Sequence, residues 1–150
     1  GIIHTPYKEP KGIPIQGRFE KGINGRIDLF PEYAQGLKDI EGFSHIILIY
    51  YFDRSKDERL IARPFLEDGL HGIFAIRSPH RPNNIGLSIV KVKEVEGNII
   101  SFSEVGMLDG TPLLDIKPYV SHFDSRRNVK NGWLDKHFKT GKIPKRVKLK

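Results

Sequence analysis

The sequence predicts a mostly β fold: a single-sheeted β-barrel with one or two short helices, of non-Rossmann type. Three observations predict it. Apolar and β-branched residues come in short runs divided by Gly, Pro, Asn and Asp. Ten prolines and fifteen glycines in 150 residues provide many turns. No Gly-x-Gly occurs anywhere, so the fingerprint of a dinucleotide-binding parallel sheet is missing.

The elements follow in chain order. Ile2-Ile3 reads like the inside of a strand, and residues are expected ahead of Gly1 in the native chain. No signal-peptide pattern opens the sequence. Gly25 to Phe30 alternates apolar and polar, as a half-buried strand does. Pro31 suits a first helical turn, Tyr33, Leu37 and Ile40 share a helical face, and Gly42 suits the C-terminal cap. Phe43 to Phe52 is continuous and β-branched, which predicts a strand buried on both faces. It holds Ser44 and His45 and is too short to span a bilayer. Phe74-Ala75-Ile76 predicts a short strand. Leu87 to Val95 and Ile99 to Val105 flank Glu96-Gly97-Asn98, a good hairpin turn. Leu113 to Val120 is the last strand, interrupted by Pro118, and a short helix is expected around Trp133 to Phe138.

Charge is segregated along the chain. Residues 1–125 carry 15 Lys and Arg against 17 Asp and Glu, whereas residues 126–150 carry 10 against one. The whole surplus of the +7 chain therefore sits in its last 25 residues. Such a segment can track phosphates and release counterions. The plainer reading is a solvated, solubilising tail. Two parts are thus expected, a barrel domain over 1–125 and a basic C-terminal extension over 126–150.

Several chemistries are excluded. Without cysteine there is no disulfide, thiolate metal site or cysteine nucleophile, which suits the reducing cytoplasm. The six histidines lack close ligand spacing, so no metal is expected. Gly12 and Gly17 have phosphate-loop spacing, but Arg18-Phe19 follow where Lys and Ser or Thr are needed. Gly42-Phe43-Ser44-His45-Ile46 lacks the second glycine of a nucleophile elbow.

Two segments carry information about function. Residues 74–86 place Arg77 and Arg81 in a loop stiffened by Pro79 and Pro82. Fixed φ lowers the entropy lost on binding, and guanidinium groups fork onto carboxylate or phosphate. The alternative is a structural turn with surface arginines. The second segment is Gly106-Met107-Leu108-Asp109-Gly110-Thr111-Pro112, followed by a strand with Lys117 and Tyr119. Glycines beside Asp109 let backbone approach a ligand, and Asp109 can accept ribose hydroxyls or a proton. Lys117 and Tyr119 alternate with Ile116 and Val120 and are expected to face one cleft. The alternative is an Asp-Gly turn closing a hairpin.

Together, Phe74-x-x-Arg77-Ser78-x-x-Arg81-Pro82-Asn83 and Asp109-Gly110-Thr111-Pro112 with Asp115-Ile116-Lys117-Pro118-Tyr119 resemble the TrmO/YaeB family. His4-Thr5-Pro6-Tyr7-Lys8, Phe43-Ser44-His45 and Ile85-Gly86-Leu87-Ser88 extend the resemblance over roughly residues 1 to 125. The resemblance implies a barrel homodimer that binds S-adenosylmethionine near the subunit interface and N6-methylates threonylcarbamoyladenosine beside the tRNA anticodon. By position it implies cofactor contacts at Pro14, Ile15, Gln16, Asp53, Arg54, Arg77, Leu87, Gly106, Met107, Leu108 and Asp109. Arg81 and Asn83 fall to the substrate, and Asp109, Lys117 and Tyr119 to the reaction. Asp53 stands where many relatives have His, and Asn84 replaces a second proline, which is expected to loosen the loop. The extra C-terminal domain of longer bacterial members is expected to be absent, the basic extension taking its place. The rival readings are a non-catalytic nucleic-acid-binding barrel and a methyltransferase of this fold acting on another nucleotide or small molecule.

Overall fold

A computed structural model describes residues 1–19 and 22–140. The basic stretch 142–150, which carries part of the charge surplus, lies outside them. Six strands close an antiparallel barrel: β1 (Ile2–His4), β2 (Asn24–Asp28), β3 (His45–Tyr51), β6 (Ile85–Glu96), β7 (Ile99–Ser103) and β8 (Thr111–Pro118). Around the barrel they run β1, β2, β7, β6, β3, β8 and back to β1. Closure leaves no unpaired edge in this sheet. The expected barrel is therefore observed. Two further short strands, β4 (Ile61–Ala62) and β5 (His71–Gly72), pair as a small second sheet within the long excursion between β3 and β6.

The inward residues follow the pleat. Ile27 pairs with Ile3 and with Ile100, Ile46 with Val90, and Tyr50 with Gly86. All are buried, with Leu48 and Phe102 filling the middle. At Gly86 a Cβ would come within 2.3 Å of the Tyr50 ring, so only glycine admits that tyrosine. Pairing irregularities fall between Val92 and Glu94 on β6 and between Ile49 and Tyr50 on β3, where the register to β8 shifts. Bulges of this kind bend strands and help a small barrel close.

Three elements differ from the sequence reading. Residues 31–42 form two 3-10 segments, Pro31–Leu37 and Ile40–Gly42, separated by Asp39 at φ 68°. Only Leu37 of that face is buried. Strand β3 is buried on alternate residues, not on both faces. Ile73–Ala75 is a 3-10 turn, not a strand. Ile73 and Ile76, three apart, are buried while Phe74 is exposed, a spacing that suits a turn.

Beyond β8 the chain makes a single helical turn, α1 (Ser121–Asp124), and then a 3-10 turn over Gly132–Leu134 leading into α2 (Asp135–Thr140). The helix expected around Trp133 to Phe138 is thus present in these two pieces. Among the described residues no helix is long and apolar enough to cross a membrane.

Candidate functional site

Four loops meet at one end of the barrel. The first follows β1. Lys8 lies on it, as do Pro14, Ile15 and Gln16, all three half-buried. The backbone of Gly17 presses so close to Glu104 that a Cβ there would lie 1.9 Å from the Glu104 carbonyl oxygen. This contact seats residues 14–17 against residues 104–106. Glu104 holds a left-handed φ of 69°, a strained setting for a non-glycine residue.

The second and third loops are the two arms of the excursion. Asp53 and Arg54 leave β3, and residues 76–84 return to β6. The Phe52 amide donates to the Asn84 carbonyl at 2.8 Å, and Ser55 Oγ lies 3.0 Å from His80 Nδ1. Contrary to the sequence reading, Asn84 tightens its loop. Its side-chain amide donates to the Pro79 carbonyl at 2.9 Å, and its own N–H donates to the Arg81 carbonyl at 3.0 Å. Its φ is 49°, which proline cannot adopt. Asn83 is also left-handed, at φ 63°.

The fourth loop is residues 104–110. Arg54 Nη2 donates to the Asp109 carbonyl at 2.8 Å, and Nη1 to the Lys8 carbonyl at 3.3 Å. The Asp109 carboxylate accepts from the Thr5 N–H at 3.0 Å and from Lys8 Nζ at 2.5 Å. His4 Nδ1 stands 3.5 Å from it. The Lys8 hydrogen bond, followed by that from Thr5, holds the carboxyl below its ordinary range. Asp109 is therefore ionised and firmly held, and it closes the turn as well as facing the site. Met107 is different: its side chain belongs to the core and its carbonyl accepts from Thr5 Oγ1 at 3.0 Å.

Arg77 completes the ring. Its Nη1 donates to Gln16 Oε1 at 3.4 Å, and its charge reaches Tyr50. Burial pushes the Tyr50 hydroxyl up, against the hydrogen bond to Ser88 and the Arg77 charge. Arg81 turns inward: Nη1 donates to the Ile76 carbonyl at 3.0 Å, bracing its own loop.

The structure thus brings together Pro14 to Gln16, Asp53, Arg54, Arg77 and Gly106 to Asp109. Leu87 is placed just outside them, exposed on the outer face of β6. It does not bring Lys117 and Tyr119 to Asp109 within one chain. Asp109 precedes β8, and Lys117 lies near its far end, opposite Ile47 on the outer face. At about 3.3 Å per residue the strand from Thr111 to Lys117 alone spans roughly 20 Å. Lys117 pairs with Asp115 at 2.8 Å, and Tyr119 sits edge-on to His45. Lys8, Thr5 and His4, which hold Asp109, are site residues that the sequence reading misses. Their only sequence signal is membership of the His4-to-Lys8 motif.

An open groove of about 720 Å³ runs away from Asp109 across the outer faces of β1, β2, β7 and β6, past His4, Arg26, Lys93 and Ser101. It shares His4, Thr5, Lys8 and Asp109 with the site and adjoins the ring there.

Comparison with known proteins decides the family. The family model described as tRNA-methyltransferase O N-terminal domain matches residues 2–125. The chain belongs to this family. A Pyrococcus abyssi protein named probable S-adenosyl-L-methionine-binding protein is 56% identical over 91% of this chain and 74% of its own. The human tRNA (adenine(37)-N6)-methyltransferase is 42% identical over 86% of this chain and 31% of its own. The crystal structure of TrmO from Pseudomonas aeruginosa has a TM-score of 0.75 at 32% identity, covering 89% of this chain. This chain spans 59% of that TrmO chain.

Proposed function

We propose that this chain is an S-adenosylmethionine-dependent tRNA methyltransferase that modifies N6 of the adenosine beside the anticodon, the threonylcarbamoyl form being its substrate. The carrying observation is the ring itself: Arg77 meets Gln16 and Arg54 meets Asp109, joining segments that the family resemblance assigns to the cofactor. Acting on tRNA, the enzyme works in the cytoplasm.

The residues present fit the cofactor. Arg77 is exposed and engages only a neutral amide among the described residues, which leaves its guanidinium for a carboxylate. Asp109 is ionised and suits hydroxyl groups, such as those of a ribose. The backbone of Gly106 lies against Gly17, and main-chain N–H groups of this turn suit a base. When bound, the cofactor supplies an electrophilic methyl on a sulfonium.

What remains for the protein is positioning and removal of one proton from the acceptor nitrogen. A carboxyl held below its ordinary range is a weak base, so Asp109 acts as a hydrogen-bond acceptor. Lys117 and Tyr119 then orient the acceptor base and its leaving proton, and Asn83 meets the substrate on the loop that Arg81 braces from within.

A second copy reconciles these roles. Ile85, Leu87 and Ile89 are 48%, 53% and 42% exposed along the outer face of β6. Ile47, Ile49 and Tyr51 continue this stripe on β3, and Lys117 stands at its far end. Such an apolar sheet face suits an isologous dimer. A two-fold axis through its middle carries the Lys117 end of one copy to the Arg77 end of the other.

Calorimetry with S-adenosylmethionine, followed by transfer of a labelled methyl to tRNA, tests this reading. Binding and transfer are expected. RNA binding without cofactor binding would favour the non-catalytic barrel.

A further inference from the structure

The C-terminal extension is more than a charged tail. Its first half docks on the excursion between β3 and β6 through a compact polar and aromatic cluster. Trp133 Nε1 donates to the Ala75 carbonyl at 2.9 Å. The indole stacks on His71 with centroids 4.7 Å apart and meets His137 edge-on at 5.9 Å. Glu67 receives Lys136 at 2.8 Å and His137 at 3.0 Å, with His71 at 3.5 Å. Among the described residues, these three partners of the Glu67 carboxylate come from the excursion itself and from α2.

The position of the Trp133 hydrogen bond is what gives it a role. Ala75 ends the 3-10 turn Ile73–Ala75, two residues before Arg77. The next carbonyl, that of Ile76, is the one that Arg81 grips. Ile73 and Ile76 fasten the turn to the protein from below, and Trp133 holds it from outside. The course of the chain into Arg77 is thus fixed from far along the sequence, by a residue of the C-terminal extension. A loop held at both ends loses less freedom when its arginine takes a ligand.

We propose that Trp133 is a positioning residue for cofactor binding: the docked arm, clamped by Glu67, sets the loop that presents Arg77. This rests on the reading of Arg77 as a cofactor contact. It assigns the arm a task separate from that of the basic residues 142–150, which follow the dock in sequence.

Trp133→Phe tests it in the full-length chain, because phenylalanine keeps an aromatic against His71 while it removes the N–H donor and shortens the ring system. The expected result is a Kd for S-adenosylmethionine raised about three- to tenfold, the worth of one hydrogen bond. In turnover the KM for the cofactor rises alike, while kcat at saturation stays near wild type. A merely structural contact would instead lower the melting temperature and leave both Kd and KM unmoved. Glu67→Gln loosens the same dock from the other side, and its Kd should move in the same direction. This second variant decides the matter if Trp133→Phe does not fold. Arg77→Ala, measured alongside, should weaken cofactor binding more strongly than either. Unchanged Kd and KM in Trp133→Phe, with Arg77→Ala weakened, overturn the proposal alone. An unaffected Arg77→Ala removes both the proposal and the reading beneath it.

Discussion

Arg54 donates to the backbone carbonyl of Asp109 at 2.8 Å, and this bond ties the start of the excursion to the glycine-flanked turn before β8. The same guanidinium reaches the Lys8 carbonyl, while the Lys8 ammonium holds the Asp109 carboxylate. Three segments far apart in sequence thus meet at Asp109, where the sequence reading leaves a ligand-binding carboxylate and a plain Asp-Gly turn as alternatives.

Asp109→Asn keeps an oxygen for the Thr5 N–H and tolerates turn geometry. It loses the ion pair with Lys8. The melting temperature is expected to change little, because that pair is near the surface. The Kd for S-adenosylmethionine should rise by about tenfold or more, as for a lost charge-assisted hydrogen bond. Calorimetry gives the value. A loss of kcat by about 10² or more with normal cofactor affinity would make Asp109 the general base instead.

The apolar stripe on β6 and β3 predicts a dimer in sedimentation at micromolar concentration. Ile89→Asp should give a folded monomer with weakened cofactor binding. If sites are shared, mixing inactive Arg77→Ala and Lys117→Ala chains restores activity. Random pairing makes half the dimers mixed, each with one intact site, so about a quarter of wild-type activity is expected. Sites lying within one chain would give no recovery.

Two truncations separate the dock from the tail. A chain ending at Thr140 keeps Trp133 and α2 and should bind cofactor normally. Its tRNA affinity should show a flatter salt dependence, by about 0.7 to 0.9 in log–log slope for each phosphate that is no longer neutralised. A chain ending at Ser125 also loses the dock and should bind cofactor more weakly. An identical slope in the Thr140 chain would mean that residues 141–150 are merely solvated.

The barrel is readable because alternation is a local signal. Val90 and Val92 against Lys91, and Ile100 and Phe102 against Ser101, fix the inward faces of β6 and β7, with Gly97 turning between them at φ 60°. Local signals also mislead. Phe74-Ala75-Ile76 has strand composition, yet Ile73 and Ile76 bury themselves as a turn. Lys117 and Tyr119 follow Asp109 closely in sequence, but an extended strand carries them away from it. The partner of Trp133 is not legible in the sequence, since Ala75 lies 58 residues away and the two share no pattern.

Acid should release the dock. Hydrogen bonds from Lys136 and His137 lower the Glu67 pKa from 4.5 to about 2. A depressed carboxylate stabilises the fold fully above its ordinary value and loses this contribution as pH falls towards the folded one. Trp133 fluorescence should therefore report arm release between about pH 4.5 and pH 2. In Glu67→Gln that transition should vanish; its persistence would assign it to other carboxylates.

Whether this barrel methylates tRNA is read most plainly by mass spectrometry of tRNA nucleosides after incubation with the protein and methyl-labelled S-adenosylmethionine. One labelled methyl is expected on N6 of threonylcarbamoyladenosine beside the anticodon, and its loss in Arg77→Ala. Tight cofactor binding with no label in any tRNA nucleoside would refute the assignment.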